Sequence, residues 1–202
     1  MTVRQWMTAN IVTINERASV QEALKLMKYH SVRHLPVVDE HQKLSGLVTD
    51  ADLRGVLIAS MLEELTLQDV MVRNPYTASP EMPLEEAARL ILRKRIGGLP
   101  VLENDKLVGI ITVVDILSAF INIMGMLGNS SRVDIKTTAG GKSLEEITRL
   151  VDDHHAEIIS ICHLMGHQEQ TPVYSIRMKK CDLGPIVADF EKKGIEVIAA
   201  FE

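Results

Sequence analysis

The chain carries one pattern twice: an apolar helix face, two short apolar strands, then a second apolar helix face. In the first copy Val20, Ala23, Leu24 and Met27 recur at helical spacing. Ser19-Val20-Gln21-Glu22 is a capping box, in which hydroxyl and carboxylate satisfy orphan backbone N–H groups, so the helix starts there. Leu35-Pro36-Val37-Val38 predicts a strand, residues 39–43 a charged turn, and Leu44-Ser45-Gly46-Leu47-Val48 a second strand. A helix follows from Asp50, with Leu53, Val56, Leu57 and Met61 on one face. In the second copy Pro83-Leu84-Glu85-Glu86 opens the first helix, since proline is tolerated in a first turn. Each unit reads β-α-β-β-α.

Residue-by-residue matching supports an internal repeat. At an offset of 64, Met7 falls on Met71, Thr13 on Thr77, Glu22 on Glu86 and Leu35-Pro36-Val37 on Leu99-Pro100-Val101. A single deletion in the polar turn, where loss is easily tolerated, changes the offset to 63. Gly46 then meets Gly109, Thr49 meets Thr112 and Asp52 meets Asp115. One such unit is marginal alone, and two packed together share a core.

From about residue 131 the rhythm changes. Residues 132–138 alternate as a strand, and Ser143-Leu144-Glu145-Glu146 caps a helix running to His154. Residues 158–164 and 173–178 read as strands. Asp182 caps a helix with Pro185 in its first turn, Gly194 stops it, and 195–201 is a last strand. The order β-α-β-β-α-β is that of a split βαβ, ferredoxin-like sandwich. The expected fold class is therefore α+β. The expected domains are 1–64, 65–124 and 132–202, with a Gly- and Ser-rich linker at 125–131.

Composition narrows the function. Aromatics are 3% of 202 residues, too few for a single-strand nucleic-acid stacking platform. The net charge of −5 and the lack of a basic stripe point away from nucleic acid as a partner. No apolar run reaches the ~18 residues of a membrane span, and the first residues lack a signal-peptide core. Cys162 and Cys181 form no C-x-x-C pair, so a reduced, cytoplasmic protein is expected. Motifs for serine hydrolysis, Walker A phosphate binding and zinc proteolysis are missing, and no enzyme is expected.

The apolar-Pro-Val strand and the runs Gly46-Leu47-Val48-Thr49-Asp50-Ala51-Asp52 and Gly109-Ile110-Ile111-Thr112-Val113-Val114-Asp115 resemble a pair of CBS motifs, the regulatory Bateman module. The C-terminal segment looks like an ACT domain by element order and length. Together they resemble acetoin-utilisation AcuB-type proteins. The resemblance implies an adenine nucleotide (AMP, ADP or ATP) or S-adenosylmethionine as regulatory ligand, with no cofactor required. It also implies a homodimer that signals to a regulated protein.

The same resemblance assigns site residues. Thr49 with Asp52, and Thr112 with Asp115, would contact phosphate and ribose; a carboxylate accepts from both hydroxyls of a diol. Val12, Thr13, Tyr76 and Thr77, with Val32 and Ile96, would hold the adenine. Arg33 and His34 would reach phosphates, while Gly97-Gly98 in the second copy would leave room for ligand or close backbone. Plain helix capping by each Thr and Asp, and core packing by the apolar members, are the competing readings.

The ACT-like loop, Ala139-Gly140-Gly141-Lys142-Ser143-Leu144, departs from the family's Gly-x-Leu, with Lys142 at the glycine position. That weakens an amino-acid-sensor function. The pairs His30/His34, His154/His155 and His163/His167 suggest no metal site, because no third ligand is evident. Cys162 is expected to be a buried thiol. Two alternatives to the nucleotide sensor stay open: a ligand-free dimerisation scaffold, and a small-effector sensor acting through the ACT-like domain.

Overall fold

The structure is a computed structural model that describes residues 1–58, 60, 65–136, 143–164 and 173–202. The chain divides into two compact units, Met1–Leu117 and Ser118–Glu202. The division falls inside a helix, upstream of the expected linker.

The first unit holds both repeats. The first comprises β1 (Ile14–Asn15), α1 (Val20–His30), β2 (His34–Val38), β3 (Leu44–Thr49) and α2 (Asp50–Val56). A short α3 (Leu67–Val70) and β4 (Val72–Arg73) lead into the second, with α4 (Leu84–Lys94), β5 (Gly98–Glu103), β6 (Lys106–Thr112) and α5 (Val113–Ile123). The helix starts follow the sequence. Ser19 Oγ accepts from the Glu22 N–H, and the Glu22 carboxylate accepts from the Ser19 N–H, as the capping box predicts. Pro83 stands one place earlier than expected, at the N-cap of α4. Both α1 and α4 end on a left-handed residue, Ser31 (φ 55°) and Arg95 (φ 54°), at equivalent places. Met61, expected on the α2 face, lies outside the described residues.

The two copies exchange strands. β4, the entry to copy two, pairs antiparallel with β3 of copy one, Leu47 opposite Val72. Thr8, the entry to copy one, bridges antiparallel to Ile110 on β6 of copy two. Each copy therefore completes the other's sheet. Close approach at these crossings explains two motif glycines. A Cβ on Gly46 would stand 2.5 Å from Met71 Sδ, and one on Gly109 would stand 2.8 Å from Met7 Sδ. The glycines of the two motifs are thus seats for methionines, which no ligand argument suggests. Val20, Ala23, Met27, Leu35, Val37, Val48 and Leu53 form a buried aliphatic core in copy one; Leu84, Ala87, Ile91, Leu99, Val101 and Ile111 are buried in copy two.

The second unit contains β7 (Ser130–Lys136), α6 (Leu144–Asp153), β8 (Ile158–Leu164), β9 (Val173–Lys179), α7 (Gly184–Lys192) and β10 (Glu196–Phe201). Its sheet order is β10-β7-β9-β8, antiparallel throughout. That is the split βαβ arrangement expected, with β9 between β7 and β8. Ser130 and Ser131, expected in the linker, belong to β7. Val133, Ile135, Ile176 and Met178 of the sheet pack against Ile147, Leu150, Val151, Ile186 and Phe190 of the helices. Ser143 caps α6 as predicted. Leu183 holds the N-cap position of α7, while Asp182 Oδ1 accepts from the Gly184 N–H. Cys162 is half-buried rather than buried.

Candidate nucleotide cleft

The motif threonine and aspartate stand at the β3–α2 and β6–α5 junctions. In each copy they close on one another. Thr49 Oγ1 donates to Asp52 Oδ2 (2.6 Å) and accepts from the Asp52 N–H (3.2 Å). Thr112 Oγ1 donates to Asp115 Oδ2 (2.6 Å), and the Thr112 N–H donates to the same oxygen (2.8 Å). Both pairs are therefore helix caps. The caps use Oδ2 in both copies, so capping does not occupy Oδ1.

A cleft of about 1480 Å³ opens beside the first pair. Thr49 and Asp52 line it with Val32, Arg33, His34, Tyr76 and Ile96, all expected site residues. The β4 segment brings Arg73 and Tyr76, so both copies build the cleft. Six lysines and arginines (Lys25, Lys28, Arg33, Arg54, Arg73, Arg95) face two acids, Asp50 and Asp52. Arg54 is held by Asp50 at 2.8 Å, which keeps the Asp50 carboxyl below its ordinary value. The Arg73 guanidinium donates to the Gln68 carbonyl (2.9 Å), and Lys94 Nζ lies 4.7 Å from the centre of the Tyr76 ring. The chain as a whole is acidic, so a local excess of cations suits an anionic ligand. The expected residues Val12, Thr13, Thr77, Thr112 and Asp115 do not line this cleft. Lys25, Lys28, Arg73 and Arg95 line it without having been expected. Lys28 follows the apolar helix positions only as an ordinary surface residue, and Arg73 depends on the strand exchange.

His34 stands at the junction of the copies. A Cβ at Gly97 would overlap its imidazole ring, so the space attributed to a ligand at Gly97 is filled by His34. Burial pushes the His34 pKa below the ordinary 6.5; Asp52 and Asp115 both oppose that shift, and Arg33 adds to it.

In the second unit His154 Nε2 lies 2.9 Å from Asp189 Oδ2, and His163 stacks on Tyr174. His167 and residues 139–142, the loop that was compared with an ACT domain's, lie outside the described residues. Among the described residues no cluster of three or more His, Cys, Asp or Glu could hold a metal ion, and no helix is long and apolar enough to cross a membrane.

A model of the CBS domain matches residues 3–59 and 67–122. A CBS domain-containing protein of Dictyostelium discoideum is 36% identical over 60% of this chain and 92% of its own length. Against longer relatives, such as an L-aspartate semialdehyde sulfurtransferase of Methanocaldococcus jannaschii, the chain spans 21% of the relative's length. The CBS domain pair of protein MJ0100, solved with 5′-methylthioadenosine and S-adenosyl-L-methionine, superposes with a TM-score of 0.56 at 32% identity, covering 60% of this chain and 97% of that one. CBSX2 in complex with AMP gives the same four values; the same protein is also solved from Arabidopsis thaliana. An AcuB-like protein of Vibrio cholerae gives a TM-score of 0.57 at 34% identity, covering 63% of this chain and 95% of that one. CBS pairs are ligand-binding, non-catalytic modules. With both repeats matched over more than half of its length, the chain belongs to the CBS domain family and carries a CBS pair.

Proposed function

We propose that the chain is a non-enzymatic regulatory protein that binds an adenine nucleotide in the Thr49/Asp52 cleft. The cation-rich cleft carries this reading: six basic side chains against two acids, assembled from both repeats. CBS pairs of similar fold hold AMP, 5′-methylthioadenosine and S-adenosylmethionine. Asp52 Oδ1, which the cap does not use, suits a ribose diol. Arg33, Lys28 and Arg95 suit phosphate, with a guanidinium able to hold two oxygens at once. Charge favours AMP, ADP or ATP over S-adenosylmethionine, whose sulfonium would meet these cations. Asp50 and Arg54 neutralise one another and leave this balance unchanged.

The topology of the second unit supports an ACT-like domain, and its edge strands β8 and β10 suit pairing in a homodimer. Acting on a separate protein, in acetoin or other carbon metabolism and in the cytoplasm, is the role the resemblance to AcuB-type proteins suggests. One observation favours a second reading, a ligand-free dimerisation scaffold: Thr49/Asp52 and Thr112/Asp115 already satisfy each other as caps.

Thermal unfolding with AMP, ADP, ATP and S-adenosylmethionine separates these. A nucleotide at about one hundred times its dissociation constant should add about 2.7 kcal/mol to the first unit. Asp52→Ala should abolish that gain, and added salt should weaken it. No shift with any of the four at millimolar concentration would favour the scaffold.

A further inference from the structure

The two copies meet at a single imidazole. His34 is the first residue of β2 and stands opposite Thr49, the cap of α2. It lines the cleft, and its ring also reaches Gly97 of the second copy, where a Cβ would overlap it. The Gly97 carbonyl accepts from the Val113 N–H (3.1 Å) at the start of α5, two residues before Asp115. The first copy repeats this arrangement: the Arg33 carbonyl accepts from the Asp50 N–H (3.0 Å), two residues before Asp52. One carboxylate from each copy therefore acts on the ring, and both favour its charged form. Burial and the neighbouring Arg33 oppose that form. Lys25, Lys28, Arg73 and Arg95 line the same cavity, and Arg54 is paired with Asp50. The repeat supplies no second ring. The counterpart of His34 is Gly98, where a Cβ would stand 3.1 Å from the Ile111 carbonyl oxygen and 3.2 Å from Thr112 Cγ2.

Without a further anion, burial and Arg33 outweigh the two carboxylates and hold the His34 pKa below the ordinary 6.5. A phosphate in the same cavity adds negative charge and shifts the balance towards the protonated ring. The proton comes from solvent and goes to the ring nitrogen that carries no hydrogen; no other bond changes. We propose that His34 couples nucleotide binding to proton uptake: the imidazole becomes charged when a phosphorylated nucleotide enters the Thr49/Asp52 cleft, and Asp115 of the second copy helps to hold that charge. This rests on the nucleotide-sensor reading above and adds a regulation to it. Linkage fixes the sign, because a proton taken up on binding makes affinity rise as pH falls. It also gives Asp115, which does not line the cleft, an influence on nucleotide affinity through His34.

Isothermal titration of the full chain with AMP, in two buffers of different ionisation enthalpy, counts the protons taken up. It is run on the wild type, His34→Gln, Asp115→Asn and the double variant, between about pH 8 and about pH 6, where a histidine titrates. Glutamine fills the space of the ring without a proton to gain. Asparagine keeps an oxygen for the Thr112 N–H and hydroxyl, so the α5 cap survives. The phosphate of AMP titrates at about pH 6 itself, and the His34→Gln protein carries that contribution alone. The wild type should take up more protons than His34→Gln. Its advantage in affinity should grow as pH falls, by at most about tenfold per pH unit for one proton. Asp115→Asn should reduce the uptake and weaken AMP by about twofold or more at about pH 6.5. In the His34→Gln background that second effect should vanish. An equal loss of affinity at every pH in His34→Gln would show a ring that only fills space, and would overturn the proposal while the sensor reading stands. So would an Asp115→Asn effect of the same size in both backgrounds. If AMP does not bind the wild type at any pH, the sensor reading falls and the proposal with it.

Discussion

His34 answers to both copies of the repeat at once. Its ring fills the space at Gly97, and its burial disfavours the charged form. Because its folded pKa lies below the ordinary 6.5, the unfolded chain binds its proton more tightly. Stability from the neutral ring is therefore full above the unfolded value and lost as pH falls through and below it. His34→Gln should flatten that part of the stability–pH profile of the first unit; an unchanged profile would contradict the assignment. The contact itself is open to a double-mutant cycle. Gly97→Ala is expected to cost about 1–3 kcal/mol by overpacking against the ring, and much less in a His34→Ala background. Equal costs in both backgrounds, measured by urea unfolding, would show that the ring does not fill that space. The sequence made Arg33-His34 and Gly97-Gly98 conspicuous by their difference. It did not reveal that the histidine of one fills the glycine of the other, since residues so far apart in the chain carry no shared local pattern.

At the scale of elements, capping chemistry was the most legible part of the chain. Ser19 and Ser143 begin helices where their partners three residues on say they should, because a capping box is a local hydrogen-bond arrangement. Ser19→Ala should cost the first unit about 1 kcal/mol and Ser143→Ala should cost the second about as much. Hydrogen exchange resolves them: the first substitution should speed exchange in α1 and leave α6 unchanged, and the second should do the opposite. Exchange that rises throughout the chain in either variant would contradict the confinement of each cap to its own compact unit. The strand exchange was not legible. β4 and the Thr8 bridge involve too few residues to show a period, and their partners are distant in sequence. For the same reason Gly46 and Gly109 were visible only as repeated motif positions, not as the seats of Met71 and Met7. The motif threonines and aspartates were visible, but the cleft gathers only Thr49 and Asp52; Thr112 and Asp115 do not line it.

The whole molecule joins a CBS pair to a second unit of β-α-β-β-α-β order. Periodicity and turn residues gave both element orders, because each rests on local spacing. The cation excess of the cleft was hidden in a chain whose net charge is −5, since charge totals do not say which side chains converge. That convergence underlies the account of the molecule as a nucleotide sensor. A crystal structure of the full chain grown with AMP tests it most directly. The ribose should lie on Asp52 and the phosphate among Arg33, Lys28 and Arg95, with Arg73 and Tyr76 of the second copy closing the cleft. AMP bound elsewhere, or a Thr49/Asp52 cleft left empty at saturating nucleotide, would contradict it.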